Sequence, residues 1–108
     1  MRSSLKRKDW ESLAARGLMG RRDGLRLRAL RIAPNDAFTM IGVVARGPAG
    51  AVERNLIRRR IRAAFRELGP PQGWKIGVWA DREAGELGFQ ELVEALRDAL
   101  ADAEARLK

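Results

Sequence analysis

The segment from Ala51 to Leu68 constrains this chain more than any other, because it has to be a helix with two different faces. Gly47-Pro48-Ala49-Gly50 is loop chemistry before it, and Gly69-Pro70-Pro71 stops it. At 100° per residue with Arg54 at zero, Ile57, Ile61, Ala64, Phe65 and Leu68 fall in one sector from about 280° through 20°. Arg54, Asn55, Arg58, Arg59, Arg62 and Arg66 fall beside it, between about 0° and 140°. The first sector must pack on other elements, and the second is a near-continuous guanidinium stripe. Arg54, Arg58, Arg62 and Arg66 form an unbroken i, i+4 series, and each like-charge pair costs an isolated helix about 0.2–0.5 kcal/mol. Three such pairs without acidic relief on that face are a poor arrangement for stability alone. A bound polyanion removes the repulsion and turns each cation into affinity through counterion release. Arginine-rich helices are often only solvated faces, but this stripe abuts the packing sector. Asn55 by itself reads as a cap or turn residue near a helix N-terminus. Beside Arg54 it is a candidate for bonding a phosphate or sugar.

Around this helix the pattern is that of a small mixed fold. Lys6–Ala15 can form a first helix with Trp10 and Leu13-Ala14 on one side, broken by Gly17, Gly20 and Gly24. Leu25–Ile32 alternates apolar and basic residues with the period of a half-buried strand. Pro34-Asn35-Asp36 is turn chemistry, and Phe38–Ala45 is a second, nearly all-apolar strand, so the two read as an antiparallel hairpin. Trp74–Ala80 is a short strand whose tryptophans, Trp74 and Trp79, read as packing residues. After an acidic loop, Gly88 opens a last amphipathic helix with Phe89, Leu92, Val93, Leu96, Leu100 and Leu107 on its inner side. The expected class is α+β, a sandwich of one small sheet against helices, in a single domain over 1–108.

Charge names the partner class. The chain carries a net +8 with a pI near 11.3, which predicts a polyanion. Residues 1–66 hold 17 Lys/Arg against 5 Asp/Glu, while residues 67–108 hold 5 against 9. One end therefore meets the polyanion and the other serves as scaffold. Eighteen of the 22 cations are arginine, the side chain that forks onto phosphate oxygens and stacks on bases. Cysteine is absent, which removes disulfides, thiolate metal sites and a cysteine nucleophile, and suits a reducing cytoplasm. No apolar run is long enough for a membrane span. Arg2-Ser3-Ser4 imitates a transit peptide, but Asp9 and Glu11 follow too soon for one.

Protein-borne phosphodiester hydrolysis needs a general base or clustered carboxylates that hold divalent metals. The chain has no histidine, and Asp9, Glu11, Asp23, Asp36 and Glu53 are scattered over different elements. Asp81, Glu83 and Glu86 cluster in a loop of the acidic part and read as solvated. The chain is thus expected to bind rather than to cut. A helix-turn-helix reading fails because the basic helix is followed by Gly-Pro-Pro and a strand, and no helix precedes it across a short turn.

The run Ala51-Val52-Glu53-Arg54-Asn55-Leu56-Ile57-Arg58-Arg59-Arg60-Ile61-Arg62-Ala63-Ala64-Phe65-Arg66 closely resembles the signature of the bacterial ribonuclease P protein component: Ala-Val, Arg-Asn, a basic pair and a further arginine at fixed spacing. Asp9-Trp10 looks like that family's Asp-Phe near the start, and Gly42-Val43-Val44 like its strand before the loop. Ala80, Ala84, Leu87 and Phe89 resemble its approach to the last helix. The departures are specific. The family's basic loop is here Ala45-Arg46-Gly47-Pro48-Ala49-Gly50, with one cation kept at Arg46. Ala14 replaces the first helix's second aromatic, and Arg28 stands at the usual strand tyrosine. Asp81 takes the place of an arginine, with Arg82 one residue away.

The resemblance implies a sheet of about four strands in the order α-β-β-(β)-α-β-α, with a left-handed crossover through the basic helix, the rare hand. It implies the protein subunit of ribonuclease P, which removes the 5′ leader of precursor tRNA. Arg46, Arg54, Asn55, Arg58, Arg59, Arg62 and Arg66 would then bind RNA. Lys6, Trp10 and Arg28 would line the cleft for the leader, where Trp10 is either a core residue or a stacking platform. The partners would be the catalytic RNA and precursor tRNA, with no membrane and a single copy of the protein in the holoenzyme. Mg²⁺ would be held by the RNA, with no site in the protein. The competing reading is a general RNA-binding or ribosomal-type α+β module, which explains the charge and fold but not the long arginine-asparagine signature.

Overall fold

The computed structural model describes residues 5–22, 24–31, 39–45, 50–69 and 73–106. The elements run α1 (Arg7–Arg16), β1 (Leu18–Arg22), β2 (Leu25–Arg31), β3 (Met40–Ala45), α2 (Ala51–Leu68), β4 (Trp74–Ala80), the single turn α3 (Arg82–Gly85) and α4 (Phe89–Ala105). The four strands form one sheet in the order β1-β2-β4-β3. β4 is antiparallel to β2 and parallel to β3, so α2 is the crossover between parallel neighbours. This is the mixed α+β sandwich that the pattern implied.

One pairing differs from the sequence reading. β2 and β3 are not a hairpin, because β4 lies between them. The antiparallel hairpin is β1–β2, turning at Gly24, whose φ of 80° needs no Cβ penalty. β1 was hidden by its glycine. A Cβ at Gly20 would overlap the carbonyl oxygen of Ala99 and crowd Ala103 N in α4. Gly20 therefore lets strand and helix backbones approach, where sequence alone takes it for a breaker. Ile32, Pro34-Asn35-Asp36, Phe38 and Leu107 lie outside the described residues.

The core lies on one side of the sheet. Leu25, Leu27 and Ala29 from β2, Ile41 and Val43 from β3, and Ile76 and Val78 from β4 meet Ile61, Ala64 and Phe65 of α2. α4 adds Leu92, Val93, Leu96 and Leu100. Phe89, expected among them, remains 44% exposed. Its rotational position is right, but it stands in the first turn, where the Cα–Cβ bond tilts toward the helix N-terminus. α1 packs on the opposite face, against β2 and β4. There Asp9 and Leu13 are buried, Trp10 is half-buried and Ala14, expected beside Leu13, is exposed.

Candidate nucleic-acid interface

The two faces of α2 are as the wheel requires. Ile57, Ile61, Ala64 and Phe65 are buried, and Leu68 is half-buried against the core. Arg54, Arg58 and Arg62 are half-buried along the boundary, with Asn55, Arg59 and Arg66 exposed. The helix ends at Gly69, left-handed at φ 68°, whose N–H donates to Phe65 O at 3.0 Å. Its N-cap is Gly50, so Asn55 lies inside the helix and is not a cap. The Asn55 Oδ1 accepts from a guanidinium NH of Arg58, which fixes the direction of that arginine within the stripe. Arg46 lies outside the described residues.

Arg60 behaves differently. It falls near 240° on the wheel, outside the stripe, and its guanidinium donates to Gly85 O at 2.9 Å and to Leu87 O. It ties α2 to the turn ahead of α4. Because Arg60 marks the α4 side of α2, the stripe occupies the other flank, at the edge of the sheet where, among the described residues, β3 has no further strand neighbour.

The reverse face of the sheet carries a second basic surface. Alternation places Arg26 and Arg28 of β2, Lys75, Gly77 and Trp79 of β4, and Gly42 and Val44 of β3 on it. Gly42 and Gly77 are register partners, and their missing side chains make the floor for the Trp10 indole. A Cβ there would stand 2.6 Å from Trp10 Cζ2 at Gly42 and 2.7 Å from Cζ3 at Gly77. Trp10 is therefore seated by packing on the sheet, and the residue is half-buried. The Trp10 and Trp79 rings meet in a T-shaped contact, with centroids 5.2 Å apart. The Arg26 guanidinium lies 5.4 Å from the centre of the Trp79 ring.

Trp79 is thus not a core residue like Trp74. It is odd-numbered in a strand whose core residues are Trp74, Ile76, Val78 and Ala80, a phase that was available in the sequence. Arg28 donates to Ala14 O at 3.3 Å, placing a cation at the C-terminal end of α1. Lys6 is exposed at the N-cap of α1. Its backbone N–H donates to Asp9 Oδ2 at 2.8 Å, and Asp9 Oδ1 takes Lys75 Nζ at 2.6 Å. These two bonds, the lysine's first, hold the Asp9 carboxyl below its ordinary range against the opposing effect of burial.

The Asp81 carboxylate nearby is committed to structure. Asp81 Oδ1 accepts from Glu83 N at 3.0 Å and Ala84 N at 3.4 Å, capping α3. Among the described residues, no group of three or more metal-ligating side chains converges. Among them, too, no helix is long and apolar enough to cross a membrane.

The model of the ribonuclease P family matches residues 3–104. The chain belongs to the ribonuclease P protein family. Membership brings with it tRNA processing and an RNA subunit as the family's partner. Among solved structures, the RNase P protein of Staphylococcus aureus superposes with a TM-score of 0.78 at 19% identity, covering 96% of each chain. The RNase P protein from Thermotoga maritima gives 0.76 at 18% identity, covering 94% of this chain and 96% of that one. At such identities the likeness concerns the fold. Comparison with curated proteins finds no match.

Proposed function

We propose that this chain is the protein subunit of ribonuclease P, acting in the cytoplasm as a single copy beside the catalytic RNA. The stripe of α2 docks on that RNA, and the sheet's reverse face with α1 takes the single-stranded 5′ leader of precursor tRNA. The observation that carries this reading is the stripe itself. Six of its members, Arg54, Asn55, Arg58, Arg59, Arg62 and Arg66, lie on one flank of α2 at the sheet edge, while Arg60 on the opposite flank is spent on backbone carbonyls. A solvated face has no need of such a division.

The protein's part is electrostatic and positional. Neutralising phosphates brings two polyanions together, and holding a leader distinguishes precursor from mature tRNA. Asp9 is engaged by Lys75 and Asp81 by α3, which supports a reading without a metal in the protein. Mg²⁺ and the hydrolytic chemistry belong to the RNA.

The test adds purified protein to bacterial ribonuclease P RNA and precursor tRNA at low Mg²⁺. The expected result is faster removal of the 5′ leader and tighter binding of precursor than of mature tRNA. Absence of both overturns the reading. Cleavage by the protein alone would restore the nuclease, and equal binding of any RNA would favour a general RNA-binding module.

A further inference from the structure

Asn55 is the neutral member of the stripe, and its place in α2 gives it no task in the helix itself. Gly50 is the N-cap, so Asn55 stands beyond the N2 and N3 amides that a capping side chain serves. It is exposed, and asparagine inside a helix is less favourable than alanine. What its amide does is bond Arg58. Oδ1 accepts from Nη2 of that arginine, three residues on and on the same face. On the wheel Arg58 falls at about 40°, with Arg54 at 0° and Arg62 at about 80°. It therefore has a like charge one turn away on either side. Arg58 is half-buried beside the packing sector, and Asn55, at about 100°, draws its head outward into the exposed part of the stripe.

We propose that Asn55 is a positioning residue, which holds the Arg58 guanidinium ready for a phosphate of the catalytic RNA and acts on RNA binding through that arginine. The proposal rests on the ribonuclease P reading and deepens it by separating Asn55 from the arginines beside it. The role differs from both that the sequence allowed, a cap and a direct bond to phosphate or sugar. A phosphodiester offers only acceptors, so an amide oxygen has no bond to make with it, whereas a guanidinium carries N–H donors and no acceptor. Spending one donor on Oδ1 leaves enough for a two-pronged grip on phosphate. The bond also removes part of the cost of that grip, since an arginine already held loses less rotamer freedom when RNA arrives.

The experiment is a double-mutant cycle on the full chain with bacterial ribonuclease P RNA, read as the dissociation constant of the protein–RNA complex at one salt concentration. Asn55→Ala is expected to weaken binding about fivefold, the value of one ordinary hydrogen bond. In the Arg58→Ala background the same change should do nothing, because the arginine through which it acts is gone. Asn55→Gln, which keeps an amide oxygen that can reach Arg58, should recover most of the loss. Alanine is the better helix former, so thermal melts should show Asn55→Ala at least as stable as wild type, and the lost affinity is then lost orientation. A merely structural Asn55 would lower the melting temperature and cost the same factor in both backgrounds. An equal loss with and without Arg58, or no loss at all, overturns the proposal. The first result makes Asn55 a direct contact and the second a bystander, and the ribonuclease P reading stands in either case. If the wild type does not bind the RNA, both fall.

Discussion

Replacing Asp9 by Asn tests how α1 is fastened to the sheet, and so how the floor for Trp10 is kept. Asp9 joins two elements, since one oxygen takes Lys75 Nζ from β4 and the other takes the Lys6 N–H at the helix start. The pair is well covered, with side-chain exposures of 11% for Asp9 and 21% for Lys75. Asn preserves the shape and one acceptor but removes the charge, leaving an ammonium without its counter-charge. Breaking a fully buried pair costs about 3–5 kcal/mol. The remaining exposure and the surviving amide acceptor reduce this to about 2 kcal/mol. With an unfolding entropy of about 2.1 cal/mol/K per residue over 108 residues, that lowers Tm by about 9 °C. The pH dependence has a definite sign. The folded carboxyl titrates below the unfolded value of about 3.9, so its contribution is complete above that value and is lost as pH falls through the folded pKa. Melts followed by circular dichroism from pH 7 to pH 3 should show the gap between wild type and Asp9→Asn narrowing below about pH 4. A gap that stays constant over this range, or one under about 2 °C at pH 7, would refute the account of Asp9 as a charged clasp.

Two substitutions separate binding arginines from structural ones. Arg58→Ala and Arg62→Ala should each weaken RNA binding and lower the salt slope by about one unit, measured by titration at several salt concentrations. Arg60→Ala removes two bonds to the carbonyls of Gly85 and Leu87. It should cost about 1–3 kcal/mol of stability in denaturant melts and leave the salt slope unchanged.

Much of this molecule was legible in its sequence, and the reason differs from element to element. α2, β4 and α4 were placed within a residue or two because each has a strong period and a stop beside it. Gly50 and Gly69 bound α2, and Gly88 opens α4. Strand order was not legible. An apolar run such as Met40–Ala45 fits beside either partner, and only the parallel crossover through α2 settles that β4 intervenes. β1 was missed because Gly20 serves an approach to α4 that exists only once the chain is folded. In the interface, the stripe followed from helical rotation alone. Trp79, a tryptophan between apolar residues, reads as packing, and it does meet Trp10, but the phase of β4 turns it away from Trp74, Ile76 and Val78.

The structure also corrects the expectation that net charge raises. A chain of +8 with 22 cations suggests diffuse attraction, but several cations already face a carboxylate or a carbonyl. Arg7 pairs with Glu11, Lys75 with Asp9, Arg22 with Asp98 and Arg106 with Asp102. Arg28 and Arg60 end on backbone oxygens. A cation held by a carboxylate releases few counterions when phosphate arrives, so it adds little to the salt dependence. The stripe arginines Arg54, Arg58, Arg59, Arg62 and Arg66 share one flank of α2, where a single RNA face meets all five. At about 0.9 unit per phosphate contact they give a slope of about 4–5 for binding to a structured RNA. The acidic outer positions Glu91 and Glu94 of α4 are exposed away from the reverse face, and repel the same polyanion from that side. A measured slope near 10 would mean that the whole basic surface binds without preference. A slope near 4–5, reduced by each stripe substitution and untouched by Arg60→Ala, is the signature of one oriented contact through α2.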